Sequence, residues 1–458
     1  MVHKYNLNGH NIVLDVGSGA VHVVNDLTYK LLGNLDEKNI LNGIQSDVKT
    51  DLRKSFSEDE INSAYSDIKA LFENKELFTS DDYSNYTYKL TDSPVKAMCL
   101  HVAHDCNLRC KYCFASTGDF EGTRSLMSFD IGKKAIDFLI EKSGTRKNLE
   151  LDFFGGEPLM NMDVVKKVVE YARSREEESG KNFRFTITTN GVLLNQENID
   201  FINKEMSNVV LSIDGRKHIN DAMRPNVGGS GSYDQIIPKF QNLVKTRGDK
   251  QYYVRGTFTK NNLDFSEDVL HLYSMGFDQI SVEPAVTDDD VPYALTEKEL
   301  PIIEKEYENL ALKMLDMEKN GEKFNFFHFA VDLTGGPCII KRLRGCGCGN
   351  EYVAITPDGD IYPCHQFVGQ EEWKMGSLND GSFDTKTKEL FSKTNIYSKP
   401  ECEKCWAKFY CSGGCNANSV QYCGDLNKPH KISCELEKKR IECAVMMQVD
   451  RFLSENKI

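Results

Sequence analysis

The stretch Cys106-Asn-Leu-Arg-Cys110-Lys-Tyr-Cys113 directly follows the apolar run Val95-Lys-Ala-Met-Cys-Leu-His-Val102. Three cysteines at x3 and x2 spacing on one loop can ligate three irons of a cubane cluster and leave the fourth iron without a protein ligand. The alternative is a zinc knuckle, but zinc sites usually combine a C-x2-4-C pair with a second pair of ligands. No fourth local Cys or His completes such a set, so the spacing predicts a cluster with one open iron.

Around this loop, β-type runs alternate with amphipathic helical patterns. The β-type runs lie at 95–102, 149–154, 183–188, 208–213, 251–258 and 278–283, and the helical patterns lie near 128–142, 162–177, 196–204, 233–246, 264–275 and 297–319. Six βα units predict parallel strands with crossover helices, either in a partial (β/α)6 TIM-like barrel or in a doubly wound sheet. In both architectures the chemistry gathers at the carboxyl ends of the strands.

Polar motifs follow these predicted strands. The second strand leads into Gly155-Gly-Glu-Pro158, where two glycines would let a ligand approach the backbone and an acid could accept hydrogen bonds from an ammonium group. The third strand ends in Thr188-Thr-Asn-Gly191 and the fourth in Leu211-Ser-Ile-Asp-Gly215. Arg224 and Arg255 are cations suited to a carboxylate ligand, although either could equally form an ordinary ion pair.

The composition is that of a globular protein, with 40% hydrophobic and 27% charged residues. A formal net charge of −13 argues against nucleic-acid binding. There is no apolar stretch long enough to span a bilayer and no signal peptide, so we expect a cytoplasmic protein without a membrane partner. Of the 15 cysteines, four lie between 99 and 113 and eleven between 338 and 443. This clustering indicates metal binding rather than disulfides.

Residues 1–80 are predicted to form a separate unit. Short β-type runs at 3–7, 12–16 and 20–24 are separated by Gly-containing turns, and helical patterns follow. We interpret this unit as a winged-helix-like module, which could serve packing or dimerisation or could bind a peptide at an edge strand. Residues 81–95 are predicted to be a linker, 96–310 the barrel and 311–458 a Cys-rich domain.

The motifs from Cys106-x3-Cys110-x2-Cys113 through Gly155-Gly-Glu-Pro158, Thr189-Asn-Gly191 and Ser212-Ile-Asp214-Gly resemble those of radical S-adenosylmethionine (SAM) enzymes. The resemblance covers residues 95 to about 310. It implies that SAM chelates the open iron and is cleaved to a 5′-deoxyadenosyl radical. The cofactor-binding residues that it implies are Tyr112, Gly155, Gly156, Glu157, Pro158, Thr189, Asn190, Ser212, Asp214 and Arg224. Among these, Ser212 and Arg224 would hold the ribose and the carboxylate.

The downstream cysteines follow the order Cys346-x12-Gly359-x4-Cys364, then Cys402-x2-Cys405-x5-Cys411-x3-Cys415, then Cys434. A zinc ribbon would explain one x2 pair, whereas the whole order resembles the SPASM extension of radical SAM peptide modifiers. That resemblance implies two auxiliary clusters and a total of three [4Fe–4S] clusters. Its first ligand set is Cys346, Cys364 and Cys415, and its second is Cys402, Cys405, Cys411 and Cys434.

The fourth ligand of the first auxiliary cluster is open at this point. Cys348 lies only two residues from Cys346, a tight spacing for two ligands of one cluster, so Cys338 is the better candidate. If neither cysteine binds, an open iron remains that could take a substrate thiolate.

Three further stretches, Val13–Val24, Gly345–Tyr352 and Tyr362–Phe367, resemble the maturase of SCIFF (six cysteines in forty-five) peptides. This resemblance implies thioether formation in a Cys-rich precursor peptide whose leader binds the N-terminal module, with an electron donor such as flavodoxin or ferredoxin. One alternative is a sulfatase-type maturase that oxidises Cys or Ser to formylglycine. Another is an iron–sulfur protein that only binds partners or transfers electrons.

Overall fold

A computed structural model describes residues 1–90, 93–333 and 339–456 of the chain. The first unit is an antiparallel sheet of β1 (Val2–Leu7), β2 (His10–Asp15) and β3 (Val21–Val24), followed by α1 (Asp26–Leu31), α2 (Ser46–Leu52) and α3 (Glu58–Glu73). Helix α3 begins at a capping box formed by Ser57 and Glu60. This unit has its own apolar core. Its assignment as a winged-helix-like module stays a prediction.

The central unit alternates strands and helices. Its elements are β4 (Ala97–His104), β5 (Ser125–Leu126), α4 (Phe129–Lys142), β6 (Asn148–Gly155), α5 (Met162–Ser179), β7 (Asn182–Thr189), α6 (Gln196–Glu205), β8 (Asn208–Ser212), α7 (Lys217–Met223), α8 (Tyr233–Arg247), β9 (Gln251–Phe258), α9 (Phe265–Ser274), β10 (Gln279–Pro284), α10 (Leu300–Lys319) and β11 (Asn325–Phe326). All six predicted strands are present. The short helix α7 and the strands β5 and β11 were not predicted.

The strand order distinguishes between the two predicted architectures. Strands β4 and β6 to β11 pair in parallel and in sequential order. A doubly wound sheet reverses its strand order at a switch point, whereas a barrel-type sheet does not. On β6, Leu149, Leu151 and Phe153 are fully buried in the main apolar core, while the alternate residues face the other side of the sheet. The sheet is therefore of the partial-barrel type.

The last unit contains α11 (Ile339–Arg344), β12 (Tyr352–Ile355), β13 (Asp360–Tyr362), β14 (Gly376–Ser377), β15 (Ser382–Phe383), α12 (Thr385–Lys393), α13 (Pro400–Glu403), α14 (Lys408–Cys411), α15 (Asn416–Cys423) and α16 (Lys431–Asn456). Strand β12 pairs in parallel with β4, so the Cys-rich region extends the barrel sheet. A boundary between residues 310 and 311 would cut α10. The division of the chain into these units stays a prediction.

The N-terminal unit is docked against the Cys-rich region. The His3 ring stacks on Trp406 with ring centroids 3.7 Å apart, and His3 Nε2 lies 3.0 Å from Glu442 Oε1. The predicted linker also takes part, because Asp81 pairs with the buried Lys408. No helix in the described ranges is both long and apolar enough to cross a membrane.

Candidate functional site

The loop that carries Cys106, Cys110 and Cys113 leaves the carboxyl end of β4 and is fixed on both sides of Cys110. The Arg109 amide donates to Pro225 O at 2.8 Å, and the Lys111 amide donates to Met223 O at 2.9 Å. Burial raises the pKa of the Cys106 thiol to about 12 and that of Cys110 to about 11. Metal coordination removes these protons, since the thiolate is the ligand.

The two glycines of the Gly-Gly-Glu-Pro motif pack against this loop. A Cβ on Gly155 would lie 2.2 Å from Ala103 O, and one on Gly156 would lie 2.2 Å from Asp105 O. The sequence explanation, in which the glycines leave room for a ligand, is therefore incomplete. Any side chain here would collide with the backbone that leads into the cysteine loop.

Glu157 is buried and ties two strand ends together. Its carboxylate accepts hydrogen bonds from Thr189 Oγ1 at 2.7 Å, the Asn190 amide at 2.8 Å and the Leu159 amide at 3.0 Å. Burial raises the pKa of Glu157 to about 7, although these hydrogen bonds act in the opposite direction. One acceptor position remains for a ligand, because a carboxylate offers about four lone pairs.

Tyr112 lies between a cation and an acid. Its hydroxyl is 2.7 Å from both carboxylate oxygens of Asp214, and Arg224 donates to the same hydroxyl oxygen at 2.8 Å. Asp214 also accepts from the Thr257 amide at 3.1 Å. Arg224 is only 7% exposed, and its Nε has no hydrogen-bond partner among the residues that the structure describes. A buried guanidinium N–H without a partner fits an anionic ligand such as a carboxylate.

These residues line a cavity of about 430 Å³. One side of the cavity is lined by the cysteine loop and the predicted cofactor-binding residues, namely Cys106, Cys110, Tyr112, Cys113, Gly155, Gly156, Glu157, Thr189, Asn190, Ser212 and Arg224. The rest of the wall includes Arg255, Glu283, Gln366, Cys415 and Tyr422. Pro158 and Asp214 are buried outside this lining. The cavity thus joins the three-cysteine loop to a cysteine of the downstream set.

Sequence reasoning missed Glu283, which lies near the carboxyl end of β10 and lines the cavity together with Arg255 of β9. Burial would raise the pKa of Glu283, but the neighbouring Arg255 guanidinium and the other cations near it lower that pKa to about 2. The signal was present in the sequence, since Glu283 stands at the carboxyl end of the sixth predicted strand. Its pairing with Arg255 depends on strand register, which the sequence does not display.

Cys348 lies beside the other cysteines of the first downstream set, although its spacing from Cys346 makes it a weaker candidate ligand than Cys338. The Cys348 thiol donates a hydrogen bond to the Cys364 sulfur, which lowers the pKa of Cys364, and Cys348 also interacts electrostatically with Cys346 and Cys415. Gly345, Gly347 and Gly349 have φ values of 68°, 76° and 70°. These left-handed positions fold the segment tightly enough to bring Cys348 beside the set. Cys338 lies outside the described residues.

The second downstream set lies around one cavity, and its role as a ligand set stays a prediction. Cys402, Cys405, Cys411 and Cys434 line one cavity of about 270 Å³. No three His, Cys, Asp or Glu side chains within residues 1–90, 93–333 and 339–456 converge as ligands of one metal ion. An iron–sulfur cluster spreads its thiolates further apart than a single ion does. The donor sets, composed of thiols around cavities, fit iron–sulfur clusters.

Two family models match the chain. A 4Fe-4S single cluster domain matches residues 96–238, and the SPASM iron–sulfur cluster-binding domain matches residues 346–406. The first range contains the three-cysteine loop and the strand-end motifs. The second contains four of the downstream cysteines assigned above, Cys346, Cys364, Cys402 and Cys405, together with Cys348.

Several relatives align with most of the chain, and some of them have an assigned activity. An uncharacterised protein, MJ0907, of Methanocaldococcus jannaschii is 30% identical over 62% of this chain and 90% of its own. A cysteine-type anaerobic sulfatase-maturating enzyme of Clostridium novyi is 24% identical over 69% of this chain and 86% of its own. The radical SAM cyclopropyl synthase TigE of Paramaledivibacter caminithermalis is 21% identical over 94% of this chain and 91% of its own.

Two solved structures share the fold. The enzyme anSMEcpe with bound AdoMet and the Kp18Cys peptide superimposes with a TM-score of 0.65 at 20% identity, over 80% of this chain and 100% of that chain. Streptococcus suis SuiB bound to its precursor peptide SuiA gives 0.53 at 16% identity, over 92% of this chain and 95% of that chain. From the motifs, the family models and these relatives together, the chain belongs to the radical SAM enzymes that carry a SPASM domain.

Proposed function

We propose that this chain is a peptide maturase that forms thioether cross-links between cysteine sulfurs and carbon atoms of other residues within one Cys-rich precursor peptide. The observation that carries the proposal is the single cavity between the three-cysteine loop and Cys415. A peptide segment in that cavity would contact the radical-generating site on one side and the first auxiliary set on the other.

The upstream wall of the cavity is the proposed SAM site. When bound, SAM and the cluster on Cys106, Cys110 and Cys113 supply a 5′-deoxyadenosyl radical. The free Nε of Arg224 is placed to bind the SAM carboxylate, and the remaining acceptor position of Glu157 is placed to bind its amino group. Asp214 acts through Tyr112, whose hydroxyl it orients.

The downstream thiols are the proposed ligands of two auxiliary clusters. Cys346, Cys364 and Cys415 belong to the first set, and Cys348 is its proposed fourth ligand. Cys338, which the spacing favours, lies outside the described residues. Cys402, Cys405, Cys411 and Cys434 form the second. With the cluster at the three-cysteine loop, the chain would hold three [4Fe–4S] clusters. An electron donor such as flavodoxin or ferredoxin stays a prediction.

The proposed leader site is the outer edge of β3. In the described residues β3 pairs only with β2, so the outer edge of β3 could receive an extended peptide. Val23 on this strand is 43% exposed. Tethering the core peptide through its leader raises the local concentration of the reacting residue to the order of mM for a short flexible linker.

The second candidate function is sulfatase maturation, which the Clostridium novyi relative favours. That relative covers 69% of this chain, whereas TigE and the peptide-bound SuiB structure cover 94% and 92%. A nearly full-length match is expected if the N-terminal unit and its peptide-binding role are shared. The Gly345–Tyr352 and Tyr362–Phe367 stretches, with their resemblance to SCIFF maturases, support the thioether product.

One anaerobic incubation separates the two candidates. The reconstituted enzyme is given SAM, reductant and a Cys-rich precursor, and the product is fragmented in a mass spectrometer. We expect a loss of two hydrogens per link and a thiol that no longer reacts with an alkylating agent. A loss of hydrogen sulfide with formation of an aldehyde would support formylglycine instead.

A further inference from the structure

Lys399 is buried between the two downstream cysteine sets. Only 1% of this residue is exposed, and it directly precedes α13, the helix that carries Cys402. Its Nζ donates to Gly413 O at 2.9 Å and to Asn416 Oδ1 at 3.0 Å. Gly413 lies between Cys411 of the second set and Cys415 of the first, and Asn416 directly follows Cys415.

The ammonium group of Lys399 has no carboxylate partner within ion-pair distance in the described part of the chain. Nearby buried cations differ in this respect, since Lys408 pairs with Asp81 and Arg344 pairs with Glu351. A buried ammonium is costly unless a negative charge compensates it. The two hydrogen bonds satisfy donors of Lys399, but they do not neutralise its charge.

The ionisable groups that interact with this ammonium are thiols. Lys399 interacts electrostatically with Cys402, Cys411 and Cys434 of the second set and with Cys415 of the first. Thiols that bind a cluster are deprotonated, and a [4Fe–4S] core with four thiolate ligands carries a net negative charge. Cluster assembly would therefore supply the counter-charge that the folded chain itself lacks.

The same side chain also fixes the turn between the two sets. Ser412, Gly413 and Gly414 have φ values of 61°, 90° and 72°, so the chain passes through three successive left-handed positions. Such a turn is unfavourable for Ser412 in particular. The hydrogen bond from Lys399 to the Gly413 carbonyl holds the turn and thereby the spacing of Cys411 and Cys415.

We propose that Lys399 is a positioning residue that places one buried positive charge between the two auxiliary clusters. This inference rests on the proposed assignment of those clusters. Reduction adds an electron to a group that is already negative, so a fixed positive charge nearby raises the reduction potential. Lys399 would then make both clusters easier to reduce.

The test is a redox titration of the auxiliary clusters in the full-length chain. The parent protein carries Cys106→Ala, Cys110→Ala and Cys113→Ala, so that only the auxiliary clusters contribute to the spectra. Lys399→Met removes the charge and both hydrogen bonds, whereas Lys399→Gln removes the charge but keeps an N–H donor. Lys404→Met is the matched control, because Lys404 lies between Cys402 and Cys405 in sequence but is exposed to water.

We expect both Lys399 variants to titrate at more negative potentials than the parent, and the Lys404 variant to titrate with the parent because water and salt screen an exposed charge. Loss of iron from an auxiliary site in both Lys399 variants, with full iron in Lys404→Met, would support the same role. A Lys399→Gln variant that titrates like the parent would overturn the proposal, since the hydrogen bonds alone would then suffice.

Iron analysis of the parent separates this inference from the proposed function. Two [4Fe–4S] clusters require about eight irons per chain. A parent that binds clearly fewer would refute the assignment of two auxiliary clusters. A parent with the full iron content and a Lys399→Met variant with unchanged potentials would refute only the role of Lys399.

Discussion

At the scale of single residues, the site depends on side chains that position other side chains through hydrogen bonds. The motifs predict that Tyr112, Asp214 and Arg224 bind the cofactor, but they do not predict how the three side chains contact one another. The structure shows that Asp214 is buried behind Tyr112 and that the Tyr112 hydroxyl joins it to Arg224. This arrangement depends on how the cysteine loop packs against β8 and α7, which is a long-range contact and leaves no pattern in the local sequence.

The Tyr112 hydroxyl can be tested by Tyr112→Phe. The change removes an acceptor from Arg224 and a donor to Asp214, and a hydrogen bond to a charged group contributes about 1.5–3 kcal/mol. We expect SAM to bind about 10- to 100-fold more weakly in an equilibrium titration of the reconstituted enzyme. Tyr171→Phe, on the surface of α5, is the control. Equal SAM affinity in both variants would show that the Tyr112 hydroxyl does not position Arg224.

Glu157 provides a prediction for pH dependence. Its carboxyl titrates at about pH 7 in the folded chain and near its ordinary value, about 4.3, in the unfolded chain. Between these values the folded state binds more protons, so its stability falls as the pH rises, by roughly 3 kcal/mol at pH 7.

Replacement of Glu157 by Gln removes this titration. We therefore expect the thermal unfolding midpoint of Glu157→Gln to depend less on pH between about pH 4 and pH 7 than that of the unchanged chain. Glu177→Gln, which changes an exposed carboxyl on α5, should keep the original dependence. Parallel pH profiles for all three proteins would contradict the assigned role of burial at Glu157.

At the scale of elements, hydrophobic periodicity was sufficient to predict the six strands of the barrel. It did not predict that β12 would pair with β4, because β12 is only four residues long and its partner lies about 250 residues earlier. The position of Cys348 could not be predicted either, because it depends on the folded shape of a turn. The glycines at 345, 347 and 349 were visible in the sequence, yet their shared left-handed conformation appears only in the folded turn.

The edge of β3 gives the element-scale test of leader binding. Val23→Lys places a charge on the exposed edge strand, where it would have to lose water when a peptide strand adds to the sheet. We expect peptide modification to fall about tenfold or more while deoxyadenosine formation without peptide is retained, measured by chromatography and mass spectrometry. Ile302→Lys makes the same kind of change on exposed α10. If both variants modify the peptide equally well, β3 is not the leader site.

At the scale of the whole molecule, the three predicted units are tightly connected. The linker that polarity predicted for residues 81–95 begins with an acid that neutralises a buried lysine of the Cys-rich region. Composition identifies a segment as polar, but it does not show that one of its charges pairs with an opposite charge in another part of the chain. Deletion of residues 1–80 would therefore also expose apolar surface around Val16 and Phe409, so point variants give a clearer test of the N-terminal unit.

The Asp81–Lys408 pair can be tested by a double-mutant cycle. Breaking a fully buried pair costs about 3–5 kcal/mol, and Asp81 keeps 26% of its side chain exposed, so we expect Asp81→Asn to cost roughly 2 kcal/mol. The thermal midpoint should fall by a few degrees. Adding Lys408→Met should recover part of the loss, because the unpaired charge is then gone. Fully additive losses would show that the two groups do not interact.

The central claim is that one cavity presents a peptide to the radical formed at the three-cysteine loop. The most direct measurement uses a precursor peptide deuterated at carbon, incubated anaerobically with the reconstituted enzyme and SAM. We expect deuterium in the 5′-deoxyadenosine and a cross-linked peptide that has lost the same label. Deoxyadenosine without deuterium, formed while the labelled peptide remains intact, would contradict the claim.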